Sequence, residues 1–398
     1  MSSIQYTIAI PPPAGVISKT VECYNKKYTV LNIPKNQENA ENLKYRSVIV
    51  DTDTNTLLSI SPVKSIPFEE FIQKYPEHTA DIQINEIAEG TMIQLFFDHE
   101  SRKWNIATKS AVGGNNWYFN NGAEKGTQRP KTFREMFYDA LRVVEYTTPL
   151  CDIPFVRDLD VSYIYSFVLQ HPENHLVFHV PHPVLVLVSM TAIVETKFVG
   201  LYGVHFIAQP DFSQVVRHLD THSGMVNVPL LFSHENVYNN IQLNPNMLFS
   251  EKGAEKGVMI TNVKTGERTK LENPEYIKRK ELRGNHPNLH YNYLALMRTG
   301  KVSEFLQYYP MYTDMFRKFY TQYHTLITDV HQAYITYYVH KQCEEHIPKR
   351  YFLHASRIHH SIYIPSLATG KKVIIKHNVV RSYFDQMEPR EILYFMYL

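Results

Sequence analysis

Arg268 and Lys270 are the residues whose types and spacing point most directly to chemistry. They stand two apart, and the period of a β-strand puts both side chains on one face. Two neighbouring cations form a grip for phosphate. A third cation, Lys109, lies in Thr108-Lys109-Ser110, between hydroxyls and just ahead of Gly113-Gly114. Positive charge also gathers over Thr261–Lys301. There Lys264, Arg268, Lys270, Lys278, Arg279, Lys280, Arg283, Arg298 and Lys301 stand against Glu267, Glu272, Glu275 and Glu281. Nine cations against four carboxylates suit a nucleic-acid backbone; a solvated basic surface is the plainer alternative. Ahead of the first strand of a hairpin, Glu89-Gly90 reads as a turn, with Glu89 as a cap and Gly90 allowing close backbone approach. His354, Arg357, His359 and His360 form a dense group, but no Cys or Asp is spaced to complete a metal site. RNA contact or ordinary surface is the expectation for them, and no metal ligand is assigned.

The elements that must position these residues follow from pattern. Met92–Asp98 and Lys103–Thr108 flank the polar turn His99-Glu100-Ser101-Arg102 and read as a hairpin. Glu89-Gly90 stands at its entry and Lys109 at its exit. Thr132-Phe133-Arg134-Glu135 is a capping box. Phe133, Met136, Phe137, Ala140, Leu141 and Val144 follow at helical spacing, which predicts a helix to about Tyr146. Tyr163–Gln170, Leu176–Val180 and Val184–Glu195 read as strands, the last apolar throughout, as for a strand buried on both faces. Gly257–Asn262 and Glu267–Glu272 read as a second hairpin. Residues 208–256 give no clear pattern, and Tyr276–Arg298 is mainly polar and basic. From Val302 the period changes: Phe316, Phe319, Tyr323, Leu326 or Ile327, Val330, Tyr334 and Tyr338 predict a long helix that ends before Pro348. Two more apolar stretches, Tyr351–Tyr363 and Val373–Leu398, complete a mostly α-helical C-terminal domain. Residues 1–80 contain a stiff Pro11-Pro12-Pro13, strand-like Tyr45–Asp51 and Leu57–Ile60, and a short helical stretch over Pro67–Tyr75. They read as a peripheral edge of the main domain, with a lid as the alternative.

The chain has 398 residues and is 44% hydrophobic, enough for two or three domains with real cores. Its net charge of +2 means that any nucleic-acid face is local. Tyr 28 and Phe 21 supply rings that can stack on bases, although most such rings belong to cores. Cys23, Cys151 and Cys343 are too scattered for a metal site or a disulfide framework, which implies a reducing compartment. The N-terminus lacks the pattern of a signal peptide, and the longest apolar run, Pro183–Val194, falls short of the ~20 residues a membrane span needs. The expectation is a cytoplasmic protein without membrane contact.

One set of local sequences resembles a known family. Tyr165-Ser166-Phe167-Val168-Leu169-Gln170-His171-Pro172-Glu173-Asn174-His175-Leu176-Val177 resembles the strand–Pro–x–Asn–x–φ–Val motif of phage-type ATP-dependent RNA ligases, members of the covalent nucleotidyltransferase superfamily. Glu89-Gly90 falls where that superfamily has Lys-x-Asp/Glu-Gly. Lys256-Gly257-Val258-Met259 falls where it has Glu-Gly-Val/Phe-Val, and Arg268-Thr269-Lys270 where it has Lys-x-Lys. Order and separation agree over Ile84–Tyr276. The stretch from Arg268 through Leu282-Arg283-Gly284-Asn285, with the helical C-terminus, is similar to an RNA-ligase-like group of large DNA viruses. The resemblance implies an α+β fold: a nucleotidyltransferase (ATP-grasp-like ligase) core of antiparallel sheets with helices, plus a mostly α-helical C-terminal domain. The expected boundaries are 1–80, 81–300 and 301–398.

In that family a Lys attacks the α-phosphate of ATP, carboxylates hold the sugar and a Mg²⁺ ion, and basic residues grip the phosphates. This sequence departs at three positions. Ile87 stands at the nucleophile, Val168 at one carboxylate and Lys256 at another. Glu255 lies one residue away, but a one-residue shift along a strand points the side chain to the other face. The resemblance therefore implies a degenerate catalytic centre with no assigned nucleophile. ATP is the implied cofactor, and the missing carboxylates speak against Mg²⁺. The implied nucleotide- and RNA-binding residues are Glu89, Gly90, Lys109, Asn174, His175 (where the family tends to have Arg), Arg268, Lys270, Lys278 and Arg283. RNA is the implied partner, with protein partners on the C-terminal domain. The role implied is an accessory factor in RNA metabolism, in host cytoplasm, viral factory or virion. Two alternatives stay open: an active enzyme with non-standard catalytic residues, either an ATP-dependent ligase using another Lys or a nucleotidyltransferase without a covalent intermediate, and a structural protein of a virion or complex.

Overall fold

Branched and aromatic residues alternating with polar ones through the first two thirds of the chain build three sheets among the described residues, in which a single strand pair is parallel. The computed structural model describes residues 4–34, 37–39, 41–119, 129–207, 225–232, 237–244, 248–249, 253–342, 347–370 and 372–397. The chain divides into two compact units, Met1–Tyr118 with Arg129–Lys280, and Phe119–Gln128 with Glu281–Leu398.

In the first unit the strands are β1 (Tyr6–Ala9), β2 (Ile17–Cys23), β3 (Lys26–Asn32), β4 (Val48–Asp51), β5 (Leu57–Ser59), β6 (Ile82–Glu86), β7 (Thr91–Asp98), β8 (Lys103–Thr108), β9 (Ala111–Val112), β10 (Tyr163–Gln170), β11 (Val184–Glu195), β12 (Leu201–Ile207), β13 (Val226–Asn227), β14 (Gly257–Asn262) and β15 (Arg268–Glu272). The largest sheet runs β1-β12-β11-β10-β7-β8-β9, with β13 beside β11; β15-β14-β6 form a second and β2-β3-β4-β5 a third. Consecutive strands β6 and β7 thus belong to different sheets, and Ile87–Gly90 is the piece of chain that crosses between them.

The capping box forms as its sequence implies: Glu135 N–H donates to Thr132 Oγ1 at 3.2 Å, and Thr132 N–H donates to Glu135 Oε2 at 2.7 Å. The helix it opens, α1 (Phe133–Ala140), buries Phe133, Met136, Phe137 and Ala140 against Ile93, Leu95, Phe167 and Leu169 of the large sheet. Each fully buried Phe in this layer contributes roughly 2–3 kcal/mol. The helix stops six residues short of Tyr146, because Arg142 takes a left-handed φ of +56°, and Val144 is left 92% exposed. β11 is covered on both faces over most of its length, as its unbroken apolar run predicts. Val188 has no opposite residue on β10, and this bulge places Val188 and Ser189 on the same side of the sheet. Leu176–Val180, read as a strand, forms none. The N–H groups of Val177 and Phe178 go to the Glu89 carboxylate instead of a neighbouring strand.

The second unit is helical. It holds α2 (Leu289–Arg298), α3 (Val302–Tyr308), α4 (Thr313–Tyr334), α5 (Lys349–Ile358), α6 (His377–Asp385) and α7 (Pro389–Tyr397). The predicted stripe on α4 is its core: Phe316, Phe319, Tyr323, Leu326, Ile327, Val330 and Tyr334 are all buried. The chain then widens into a π-helical turn at Ile335–Val339, and Lys341 at φ +55° follows, well before Pro348. A second π-helical turn, His359–Tyr363, meets the first, with His359 stacked on Tyr338 at 3.7 Å. His354, expected at the surface, is fully buried among Tyr383, Phe384 and Phe395. No described helix is long and apolar enough to cross a membrane.

Candidate functional site

A cavity of about 540 Å³ opens in the first unit, bordered by residues of the large sheet and of the three-stranded sheet. The sheet-to-sheet crossing forms part of its wall, so Ile87, Ala88, Glu89 and Gly90 all line it. Val168 of β10, Lys109 of the β8–β9 turn, and Arg268 and Lys270 of β15 line it as well. Positions up to 183 apart in sequence are thereby brought to one place, Ile87 being 9% and Val168 5% exposed.

Gly90 explains how the crossing fits. Its φ is +155°, and a Cβ there would collide with the Leu169 carbonyl oxygen and stand 2.8 Å from Val168 Cγ1. Only glycine lets the crossing lie this close to β10. Glu89, 8% exposed, uses Oε1 to accept N–H groups from Val177 at 2.7 Å and Phe178 at 3.2 Å; its Oε2 is buried without a partner. Asn174 does not line the cavity. Its side-chain amide donates to Thr91 Oγ1 at 2.8 Å and ties the Pro172–Asn174 turn to the start of β7. His175 does not line it either; its Nδ1 lies 2.7 Å from the Pro172 carbonyl oxygen. Lys278 is exposed outside the cavity wall, on the helix Pro274–Arg283. Arg283 belongs to the second unit, where it is 2% exposed and packs its guanidinium over Phe119 at 4.8 Å and Tyr312 at 5.8 Å. The basic stretch Thr261–Lys301 is therefore shared between two units.

The charge on the wall is uneven. Arg46, Lys64, Lys109, Arg268, Lys270 and Lys280 face Glu38, Glu86, Glu89 and Glu272, six cations against four carboxylates among the described residues. Lys64 pairs with Glu38, and Glu272 holds both Lys270 at 2.8 Å and Lys280 at 2.7 Å. The two arginines differ from the lysines. Among the described residues Arg268 has only backbone partners, donating from Nε to the Val63 carbonyl at 2.6 Å and from Nη2 to the Pro62 carbonyl at 3.5 Å. Arg46 has no side-chain partner among the described residues. Burial, and after it the positive charge of Arg46, lowers Arg268 to about 9. Burial lowers Arg46 too, and it pushes the Tyr6 phenol beside Arg268 well up. Two half-buried guanidiniums without a carboxylate between them form a wall prepared for an anion.

Sequence reading missed Arg46 and Lys64, which the first 80 residues bring to this wall. It also missed an aromatic stack at the rim. Tyr276, which lines the cavity, lies parallel to Phe178 with ring centres 6.1 Å apart. Lys256 and Arg279 stand over the Phe178 ring at 5.7 and 5.5 Å. Lys256 itself is turned to Glu86, with Nζ 3.5 Å from Oε1. Glu255 is exposed, and its carboxylate accepts the Gly253 N–H at 3.1 Å. Among the described residues no three His, Cys, Asp or Glu side chains are grouped to hold a metal ion.

No family model matches the chain. It is 25% identical over 185 residues to the RNA ligase of Rhodothermus phage RM378, a match spanning 46% of this chain and 37% of that protein. Among solved structures it is similar to an archaeal ATP-dependent RNA ligase (11% identity, TM-score 0.40, 73% of this chain and 65% of that one). It is similar as well to a Naegleria gruberi RNA ligase holding ATP and manganese (8% identity, TM-score 0.35, 67% of this chain and 79% of that one). The chain spans little more than a third of the curated relative's length. Over those 185 residues it is similar to an RNA ligase, and its described residues form largely antiparallel sheets with helices and a helical C-terminal region.

Proposed function

We propose that this chain is an RNA-ligase-like protein that binds nucleotide or RNA phosphates without covalent nucleotidyl transfer, as an accessory factor in RNA metabolism. The observation that carries this reading is the pairing of Arg46 and Arg268 in a cavity wall that also contains Ile87 and Val168. An anion grip is present, while Ile87 offers no atom that could attack a phosphate. ATP is the ligand drawn from the ligase similarity. The Phe178–Tyr276 stack with its cations suits an unpaired RNA base and its phosphate at the rim.

The Mg²⁺ of the family does not fit the residues present. The carboxylate positions carry Val168 and Lys256, and the glutamates that line the cavity are engaged by lysines or by backbone N–H groups. The experiment is incubation of the protein with α-labelled ATP and Mg²⁺. The expected result is no acid-stable label on the protein; a labelled band overturns the non-covalent reading. RNA binding at low salt, weakened by R268E/K270E, is expected alongside it. One observation favours a second reading, an active ligase with a displaced nucleophile: Lys64, Lys109, Lys270 and Lys280 line the same cavity. The same labelling experiment decides between the two.

A further inference from the structure

We infer that the cavity holds a nucleoside triphosphate through side-chain cations alone, so that a divalent metal ion weakens binding instead of enabling it. The inference rests on the reading of the cavity as a nucleotide site and concerns what neutralises the phosphates there.

A hard divalent cation needs oxygen ligands that are free to turn toward it. The carboxylates of this wall are committed elsewhere. Glu38 is paired with Lys64, and Glu272 is shared by Lys270 and Lys280. Glu86 has the Lys256 ammonium 3.5 Å away. Glu89 spends one oxygen on the Val177 and Phe178 N–H groups. The other oxygen, Oε2, is buried and open, and among the described residues no further acid, Cys or His is grouped with it to complete a metal site. The cations have the opposite character. Arg46 and Arg268 carry charge into the wall without a carboxylate partner among the described residues. Lys256, behind Glu86, adds a positive charge where a bound metal ion would be repelled.

The state of the ligand follows from this balance. Free ATP carries its full phosphate charge, and bound Mg²⁺ cancels part of it. A wall with excess positive charge attracts the more negative form more strongly. Magnesium then competes with the protein for the same phosphates.

The test is calorimetric titration of the wild-type protein with ATP at matched ionic strength, once with EDTA and once with excess Mg²⁺. The expected result is binding roughly three- to tenfold tighter in EDTA. Tighter binding in Mg²⁺ overturns this inference and leaves the nucleotide reading standing. Binding in neither buffer overturns the nucleotide reading, and this inference with it. K256E, with its fold checked by circular dichroism, is expected to move the ratio of the two affinities toward Mg²⁺. An unchanged ratio removes Lys256 from the account.

Discussion

Replacing Arg46 with Met is expected to stabilise the ligand-free protein and to weaken its hold on ATP, two effects of opposite sign from one charge. Met keeps much of the apolar stem of Arg and removes the guanidinium. The magnitude starts from Arg268, which is lowered from 12.5 to about 9, first by burial and then by Arg46; at ~1.4 kcal/mol per pH unit its charge costs roughly 5 kcal/mol in the folded state. Arg46 is the lesser of the two causes that lower it, so removing it relieves only a part of that cost, on the order of 1 kcal/mol. Removing it is expected to raise Tm by roughly 2–4 °C in a unit of this size. The gain belongs to neutral pH. A base whose folded pKa is depressed costs stability while both folded and unfolded chains hold the proton. That cost is relieved as pH rises through about 9, so the Tm gain of R46M shrinks above that pH. ATP meanwhile loses one charge-assisted contact, worth ~1.5–3 kcal/mol, and its Kd rises roughly 10- to 150-fold. Thermal melts without ligand and calorimetric titration in EDTA measure the two arms. A fall in Tm with unchanged affinity would refute the reasoning, because it would make Arg46 a structural residue and not a strained ligand-binding one.

Three further outcomes are expected. Burial holds His290 and His354 at about 4, and each leaves Nε2 buried without a partner. The unfolded chain takes up these protons first, so stability is flat above pH 6.5 and falls toward pH 4, by ~2 kcal/mol per residue at pH 5. Circular-dichroism melts at pH 7 and pH 5 measure this, and H354F, which cannot titrate, is expected to lose about half of the drop; equal sensitivity in variant and wild type sinks the assignment. Gly90→Ala is expected to cost about 2–4 kcal/mol, from a positive φ and the collision with Leu169, and to lower the urea midpoint accordingly. Ile87→Lys restores the nucleophile position alone. No acid-stable adenylate is expected from it, since Val168 and Lys256 still occupy the carboxylate positions, and an adduct would show that the rest of the site is competent.

What could be read from the sequence was mostly local. The capping box at Thr132 and Glu135, the β7–β8 hairpin and the α4 stripe each depend on residues a few positions apart. The errors arose where distant chain intervened. Val144 continued the helical period of α1 and yet lies outside it, because the period does not register the left-handed turn at Arg142. Leu176–Val180 has strand-like residues, but Glu89, 88 positions from Val177, takes its N–H groups. Arg46 carried only a faint signal of its own. It sits between a short turn and β4, and only the packing of the N-terminal segment onto β15 makes it a neighbour of Arg268. An isolated Arg just ahead of the apolar run Val48-Ile49-Val50 was the one available hint.

The positions that match the ligase pattern and those that depart from it differ in what the fold asks of them. Gly90 permits the crossing to lie against β10, Glu89 pins the loop after Asn174, and Asn174 fastens that loop to β7. Each of these supports the architecture of the cavity whether or not anything reacts inside it. The nucleophile and carboxylate positions carry no such duty. Ile87 and Val168 fill their places as buried apolar side chains, and Lys256 settles against Glu86 and Phe178. A chain without the covalent step can therefore keep the outline of the motif for reasons of packing and hydrogen bonding alone. The motif outline is evidence for the cavity, and only the residues at 87, 168 and 256 are evidence about its chemistry.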